Sequence, residues 1–94
     1  MIATKYILEF FKNKKINTFY VFQGGAIMNL INEIGKDKKS KFIIPHHEQS
    51  LSMQVDTSAR LDGYSVGMVT SGPGATNILT GVCSAYYDSI PCFF

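Results

Sequence analysis

The sequence has few cysteines, little net charge and no long apolar run, and each shortage argues against a class of protein. Two cysteines, Cys83 and Cys92, are too few for a disulfide framework or a zinc site. Their apolar surroundings predict buried, reduced thiols. No apolar stretch approaches the roughly 20 residues of a membrane span, and no signal peptide precedes the first helical pattern. We therefore expect a cytoplasmic protein that makes no membrane contact.

The charge balance is also modest, with nine basic and seven acidic residues in 94 and a net charge of +2. That excess is too small to predict a nucleic-acid partner. Seven lysines fall in two groups, at positions 12–15 and 36–41, and each group follows a helical pattern. Cations at such places are typical of solvated helix ends, where they interact favourably with the helix dipole.

Apolar periodicity predicts helices alternating with strands. The helices cover about 4–14, 27–34, 47–61 and 74–87; the strands cover about 19–22, 42–44 and 65–70, and a fourth begins near 90. This alternation favours an α/β fold, a parallel sheet with helices on both faces and right-handed crossovers. The last strand stays apolar to Phe94 without a closing turn, so we expect the domain at 1–94 to be incomplete, truncated at its C-terminal end.

Candidate chemistry lies where two strands give way to helices. His47-Glu48-Gln49 follows the second strand, and the segment Ser71 to Asn77, which begins Ser-Gly-Pro-Gly, follows the third. Ligands of open α/β sheets bind at the carboxyl edge of the strands, where both segments are expected. Glycines there let a backbone approach a ligand closely, and Ser71 is a candidate helix cap. An acid and a glycine-rich turn at one edge predict a cofactor crevice.

Each segment also has an ordinary structural interpretation. Glu48 suits a helix N-terminus, and the Gly-Pro-Gly turn suits any strand-to-helix connection. The turn lacks the Lys-Ser/Thr of a P-loop, and Ser71 lacks the flanking glycines of a nucleophile elbow. His46 and His47 point in different directions, which argues against a metal site. A non-catalytic module that binds a nucleotide or flavin in this crevice remains an alternative.

Four strand-end segments together are more specific than any one of them. They are Phe22–Ile27, His47–Gln49, Thr70–Asn77 and Ala85–Pro91, in this order and spacing. The set resembles the N-terminal pyrimidine-binding domain of thiamine diphosphate enzymes of the acetolactate synthase-like group. The resemblance covers essentially the whole chain, although related enzymes of cell-surface sugar biosynthesis are an alternative.

The resemblance implies a thiamine diphosphate-dependent carboligase or decarboxylase, a lyase or transferase that acts on a 2-oxo acid. The acid that matches Glu48 bonds N1′ of the cofactor's aminopyrimidine and activates the cofactor, so Glu48 is the implied catalytic residue. The positions that match the cofactor-binding pocket are Glu48, Gly24, Gly25, Gln49, Pro73 and Asn77.

The resemblance also implies components that this chain does not supply. In the family a later domain holds the diphosphate and Mg²⁺, and a second subunit completes each site, which implies a homodimer or tetramer. A middle domain of the synthases often holds FAD. We therefore expect residues 1–94 to be inactive alone. A truncated, unstable product without activity of its own is a further alternative.

Overall fold

The computed structural model describes residues 2–94 as a four-stranded parallel sheet with helices on both faces. The elements in chain order are α1 (Ala3–Asn13), β1 (Thr18–Val21), a 3₁₀ turn (Gly25–Ile27), α2 (Met28–Gly35), β2 (Lys41–Ile43), α3 (Glu48–Asp62), β3 (Ser65–Met68), α4 (Pro73–Asn77), α5 (Leu79–Tyr87) and β4 (Cys92–Phe93). The predicted α/β class is confirmed. None of the helices in residues 2–94 is both long and apolar enough to cross a membrane.

The strands lie in the order β2-β1-β3-β4, and every neighbouring pair is parallel. In register, Phe19 of β1 is opposite Phe42 of β2 on one side and Val66 of β3 on the other. The connection through α2 moves across the sheet in one direction, and those through α3 and α5 move in the other. Right-handed crossovers therefore put α2 on one face and α3 and α5 on the opposite face.

Alternate side chains of the central strands supply two apolar layers. One layer lies under α1 and α2 and contains Phe19 and Val21 of β1 with Val66 and Met68 of β3. The other lies under α3 and contains Leu51, Val55 and Ile78, with Tyr20 packed against them. Strands that are buried on both faces read as continuous apolar runs, which is why they were recognisable in the sequence.

The predicted helix at 74–87 is divided in two at Ile78, contrary to expectation. Ile78 has ψ of −4°, and its N–H bonds the carbonyl of Ala75, three residues back, at 3.4 Å. The turn is therefore tightened locally. Ile78 is buried against Leu51 and Val55 of α3, so tertiary packing holds the tightened turn in place. Apolar spacing continues through the break and could not reveal it.

The predicted burial of Cys83 and the predicted helix cap at Ser71 were wrong. Cys83 is exposed rather than buried, because α5 turns it away from the packed side that carries Val82 and Ala85. Cys92 is partly buried, and burial raises the pKa of its thiol to about 11. No side chain caps α4: its N-cap is Gly72, whose φ of 69° suits glycine, and Ser71 lies in the preceding turn.

The position of α3 depends on a glycine in the sheet. Gly67 of β3 faces α3, and a Cβ added there would lie 2.8 Å from both Leu51 Cδ2 and Val55 Cγ2. Both of these side chains are fully buried. The missing Cβ therefore allows α3 to lie close to the sheet.

Small and polar residues join α3 to α5. Ser52 of α3 is fully buried against Gly81 of α5, and a Cβ added to Gly81 would overlap the Cβ of Ser52. One turn further along, Ser84 Oγ of α5 donates to Asp56 Oδ2 at 2.9 Å. The two helices thus approach at the glycine and are joined by a hydrogen bond at the next turn.

Arg60 completes the contact at the far end of α3. Its Nε donates to Asp56 Oδ1 at 2.8 Å, and its Nη2 donates to Asp56 Oδ2 at 3.3 Å and also to Asp88. Asp56 is buried, and both of its carboxylate oxygens are satisfied. The Arg60 hydrogen bonds hold the pKa of Asp56 below its ordinary value, against the opposing effect of burial.

We expect Gly67→Ala to destabilise the full-length protein that contains these residues by about 1–3 kcal/mol, because the new methyl group would displace α3. Urea unfolding followed by circular dichroism measures this loss. The matched control is Gly35→Ala at the end of α2, where the added Cβ would make an ordinary 3.7 Å contact with Phe42. Equal effects of the two substitutions would contradict the role of Gly67.

We expect Asp56→Asn to lower the free energy of unfolding near neutral pH by about 1–2 kcal/mol, through loss of charged hydrogen bonds. Because folding lowers the pKa of Asp56, its stabilising contribution is present above the ordinary carboxyl pKa of about 4 and is lost as pH falls through the folded value. The difference between wild type and variant should therefore shrink below about pH 4. Unfolding at a series of pH values tests this, with the exposed Asp62→Asn as control. A difference that stays constant at all pH values would contradict it.

Candidate functional site

The loops that follow β1, β2 and β3 meet at the carboxyl edge of the sheet, as predicted. The loops after β1 and β3 are packed together through Thr70: a Cβ added to Gly24 would lie 2.8 Å from Thr70 Cγ2, and one added to Gly74 would lie 3.0 Å from the same atom. The sequence pointed to Thr70 only as the first residue of the strand-end segment Thr70–Asn77. Its contact with the loop after β1 depends on β1 and β3 being neighbours in the sheet, which one segment of sequence does not show.

Glu48 is the first residue of α3 and is 8% exposed. Its Oε2 accepts a hydrogen bond from Asn77 Nδ2 at 3.3 Å. Within residues 2–94 no side chain donates to its Oε1, and no fully buried side-chain oxygen or nitrogen there lacks a partner. Oε1 is therefore not completely buried, and it keeps an unused acceptor position.

His47 caps α3 immediately before this acid. Its backbone is extended, with φ of −155° and ψ of 150°, and its Nδ1 accepts from the N–H of Gln49 at 3.0 Å. That hydrogen bond assigns the proton of a neutral ring to Nε2, which lies 3.8 Å from Glu48 Oε2. This cap was not predicted from the sequence, because histidine is not among the residues that usually begin helices. No cluster of three metal-type side chains occurs in residues 2–94.

The other predicted site residues lie after β1, β2 and β3 at the same edge of the sheet, and none of them forms a side-chain hydrogen bond with Glu48 in the described chain. Gln49 is exposed, and its carbonyl accepts from Ser52 Oγ at 2.7 Å. Pro73 is the first residue of α4, and its carbonyl accepts from Thr76 Oγ1 at 3.1 Å. The structure thus joins Glu48 to Asn77 directly and leaves Gln49 and Pro73 exposed.

The backbone beside the crevice is open at two glycines. A Cβ added to Gly25 or to Gly72 would meet no atom within 4 Å. The carboxylate of Glu48, which begins α3 at the same edge of the sheet, has one oxygen without a side-chain donor in residues 2–94. Such an oxygen can accept a hydrogen bond from an N–H or O–H group of a ligand.

A separate groove of about 470 Å³ lies between α3 and β2. Its walls include Tyr20, Ile43, Met53 and Leu61, and it contains none of the predicted site residues. It runs along α3 from Ser50 to Asp62, and we assign it no part in the site.

The fold and its edge therefore define an α/β domain that has a parallel sheet and a buried acid at the carboxyl edge of its strands. A family model described as "Thiamine pyrophosphate enzyme, N-terminal TPP binding domain" matches residues 1–94. The chain belongs to this family, as the resemblance predicted.

Relatives of this chain include acetolactate synthases. It is 37% identical over 84 residues to the mitochondrial catalytic subunit of Saccharomyces cerevisiae, which is 88% of this chain and 12% of the relative. It is 35% identical over 92 residues to the isozyme 2 large subunit of Escherichia coli K12, which is 97% of this chain and 17% of the relative. The large subunit of Lactococcus lactis is 34% identical over 90 residues, 95% of this chain and 16% of the relative. The chain thus spans less than one fifth of the length of these relatives.

We expect His47→Ala to lower stability by about 1 kcal/mol, because the N–H of Gln49 loses its cap at the start of α3. His47→Asn should retain most of the stability, since asparagine also caps helices well. Thermal unfolding of both variants in the full-length protein checks this. Equal losses in the two variants would show that the imidazole contributes something other than the cap.

Proposed function

We propose that residues 1–94 form the pyrimidine-binding domain of an acetolactate synthase-like, thiamine diphosphate-dependent carboligase or decarboxylase that acts on a 2-oxo acid. The observation that carries the proposal is the buried Glu48, whose carboxylate accepts a hydrogen bond from Asn77 at one oxygen and has no side-chain donor in residues 2–94 at the other. Membership of the family and the acetolactate synthase relatives support it.

Glu48 is the proposed catalytic residue. When bound, thiamine diphosphate supplies a nucleophilic carbon and stores the electron pair that is left when a 2-oxo acid loses carbon dioxide. Glu48 would hold a proton at N1′ of the aminopyrimidine through Oε1, which the hydrogen bond from Asn77 to Oε2 helps to orient. Burial of the carboxylate strengthens such a hydrogen bond, since competing water is reduced.

The remaining predicted site residues would contact or shape the cofactor. Gly25 leaves open space beside its backbone, which suits close approach of a ring. Gly24 fits against Thr70 and would fix the course of the same loop. Pro73 would fix the start of α4. Gln49, exposed beside Glu48, would present its amide at the rim of the pocket.

We propose that the rest of the site lies outside these residues. The matched family is an N-terminal domain, and the chain spans 12% to 17% of the relatives compared above. By resemblance, a later domain of a second subunit would hold the diphosphate and Mg²⁺, in a homodimer or tetramer, and FAD would occupy a middle domain if present. Residues 1–94 alone would then turn over no 2-oxo acid.

We also propose a cytoplasmic location for the full-length protein.

Glu48→Gln in the full-length protein tests this proposal. Removing the ionisable carboxyl should lower turnover of a 2-oxo acid such as pyruvate by at least about 100-fold, at saturating thiamine diphosphate and Mg²⁺. The fold should survive, because glutamine preserves the size of the side chain. Turnover and far-ultraviolet circular dichroism are the two measurements. Glu9→Gln, the same chemical change on the exposed side of α1, is the control and should leave turnover unchanged.

Two outcomes would contradict the proposal in different ways. Unchanged turnover in Glu48→Gln would remove Glu48 from the activation step. Absence of any thiamine diphosphate-dependent reaction in the wild type, together with tight binding of a nucleotide or flavin, would favour a non-catalytic binding module.

A further inference from the structure

The contact between Glu48 and Asn77 is one of four that join α3 to the helical segment α4–α5 at regular intervals. On α3 the contacts occur at every fourth residue. The four pairs, called here the helix ladder, are Glu48–Asn77, Ser52–Gly81, Asp56–Ser84 and Arg60–Asp88. Residues three or four apart lie on one face of a helix, so the ladder is a single seam along the length of α3.

The ladder connects the crevice to the opposite edge of the sheet. Both α3 and α4–α5 follow a strand at its carboxyl end and lead back to the amino end of the next one, so they run side by side in the same direction. Glu48–Asn77 is the pair at the crevice. Arg60–Asp88 is the pair at the far end, three helical turns and about 18 Å away.

Only one register of α5 along α3 satisfies the two middle pairs and the hydrogen bonds of Arg60. Gly81 is the point of closest approach, and a slip of α5 by one residue would bring Thr80 or Val82 against the buried Ser52. Asp56 is buried and depends on Arg60 and Ser84 for its hydrogen bonds. A slip would leave this carboxylate partly unsatisfied in the interior, which is costly.

The register is transmitted across the break between α4 and α5. The N–H of Val82 bonds the carbonyl of Ile78, and the N–H of Ile78 bonds that of Ala75, so the backbone hydrogen bonds continue through the break. Ile78 is also buried against Leu51 and Val55 of α3. A displacement of α5 would therefore move α4 and with it Asn77.

We propose that Arg60, through Asp56 and Asp88, is a positioning residue for Glu48: it fixes the register of α5 on α3 and so holds Asn77 in hydrogen-bond contact with the acid. The proposal rests on the proposed function of Glu48. Arg60 lies at the end of α3 away from the crevice, so it acts through the helices and makes no contact with the cofactor.

A double-mutant cycle in the full-length protein tests the coupling. The variants are Arg60→Gln, Asn77→Ala and the two together, and the measurements are the Kd for thiamine diphosphate in the presence of Mg²⁺ and the Tm. We expect Arg60→Gln to weaken cofactor binding about tenfold in the wild type and to have no further effect once Asn77 is alanine. Its effect on Tm should be the same in both backgrounds.

Two further variants separate positioning from general loss of stability. Lys12→Gln removes another ion pair, to Asp37 at 3.3 Å on the other face of the sheet, and should leave the cofactor Kd unchanged. Arg60→Lys keeps the charge but loses the planar fork that bonds two carboxylates, so it should give an intermediate Kd.

Where Arg60→Gln fails to fold, Asp88→Asn replaces it in the cycle. Asp88 has a side chain that is 55% exposed, and its replacement leaves the Asp56–Arg60 pair intact. The expected loss of affinity is smaller, again with no further effect when Asn77 is alanine.

The proposal is overturned if Arg60→Gln, or Asp88→Asn in its place, leaves the cofactor Kd within twofold of wild type. It is also overturned if the effect is equal with and without Asn77. Glu48→Gln distinguishes this failure from failure of the proposed function. A collapse of turnover in Glu48→Gln with an additive Arg60 effect rejects only the positioning role, whereas unchanged turnover in Glu48→Gln rejects the function on which it rests.

Discussion

The helix α3 is close to its neighbours on two sides, and on both sides a glycine makes the approach possible. Gly67 of β3 lies under Leu51 and Val55, and Gly81 of α5 lies against Ser52. A methyl group at either glycine would meet buried atoms that have little room to move, because protein interiors are densely packed. The position of α3 is therefore fixed from below by the sheet and from the side by α5, and the first residue of this helix is the proposed catalytic acid.

Fold and site are thus difficult to separate in this domain. The same helix supplies apolar side chains to the core, polar side chains to the helix ladder and Glu48 to the crevice. His47 caps its first turn, and Arg60 bonds two acids at its last turn. Interactions usually described as structural therefore determine where the carboxylate of Glu48, the proposed catalytic acid, lies.

Local patterns in the sequence were sufficient to predict the architecture. Apolar runs and helical spacing predicted every major element, and the strand-end segments placed Glu48 at the carboxyl edge, where the structure shows it. The resemblance to thiamine diphosphate enzymes, which the family match confirms, added the cofactor. It also named both Glu48 and Asn77 without indicating that the two side chains share a hydrogen bond.

The features that were missed depend on contacts between distant segments. The break at Ile78 is held by packing on α3, and the pairing of Arg60 with Asp88 spans 28 residues. Thr70 joins two loops that are adjacent in space only because β1 and β3 are neighbours in the sheet. Cys83 was misplaced because its neighbours are apolar, whereas burial depends on which side of α5 faces α3. Periodicity identifies an element but does not identify its partner.

The close approach of Ser52 and Gly81 has a consequence for how sequences of this domain can diverge. Ser52 fills the space that the missing side chain of Gly81 leaves, so a larger residue at position 81 is tolerated only with a smaller one at position 52 or with a shift of the backbone. The positive charge at position 60 is limited in another way, because Arg60 pairs with both Asp56 and Asp88. Among homologues the residues at positions 52 and 81 should therefore vary together, and their covariation would record the close approach of α3 and α5.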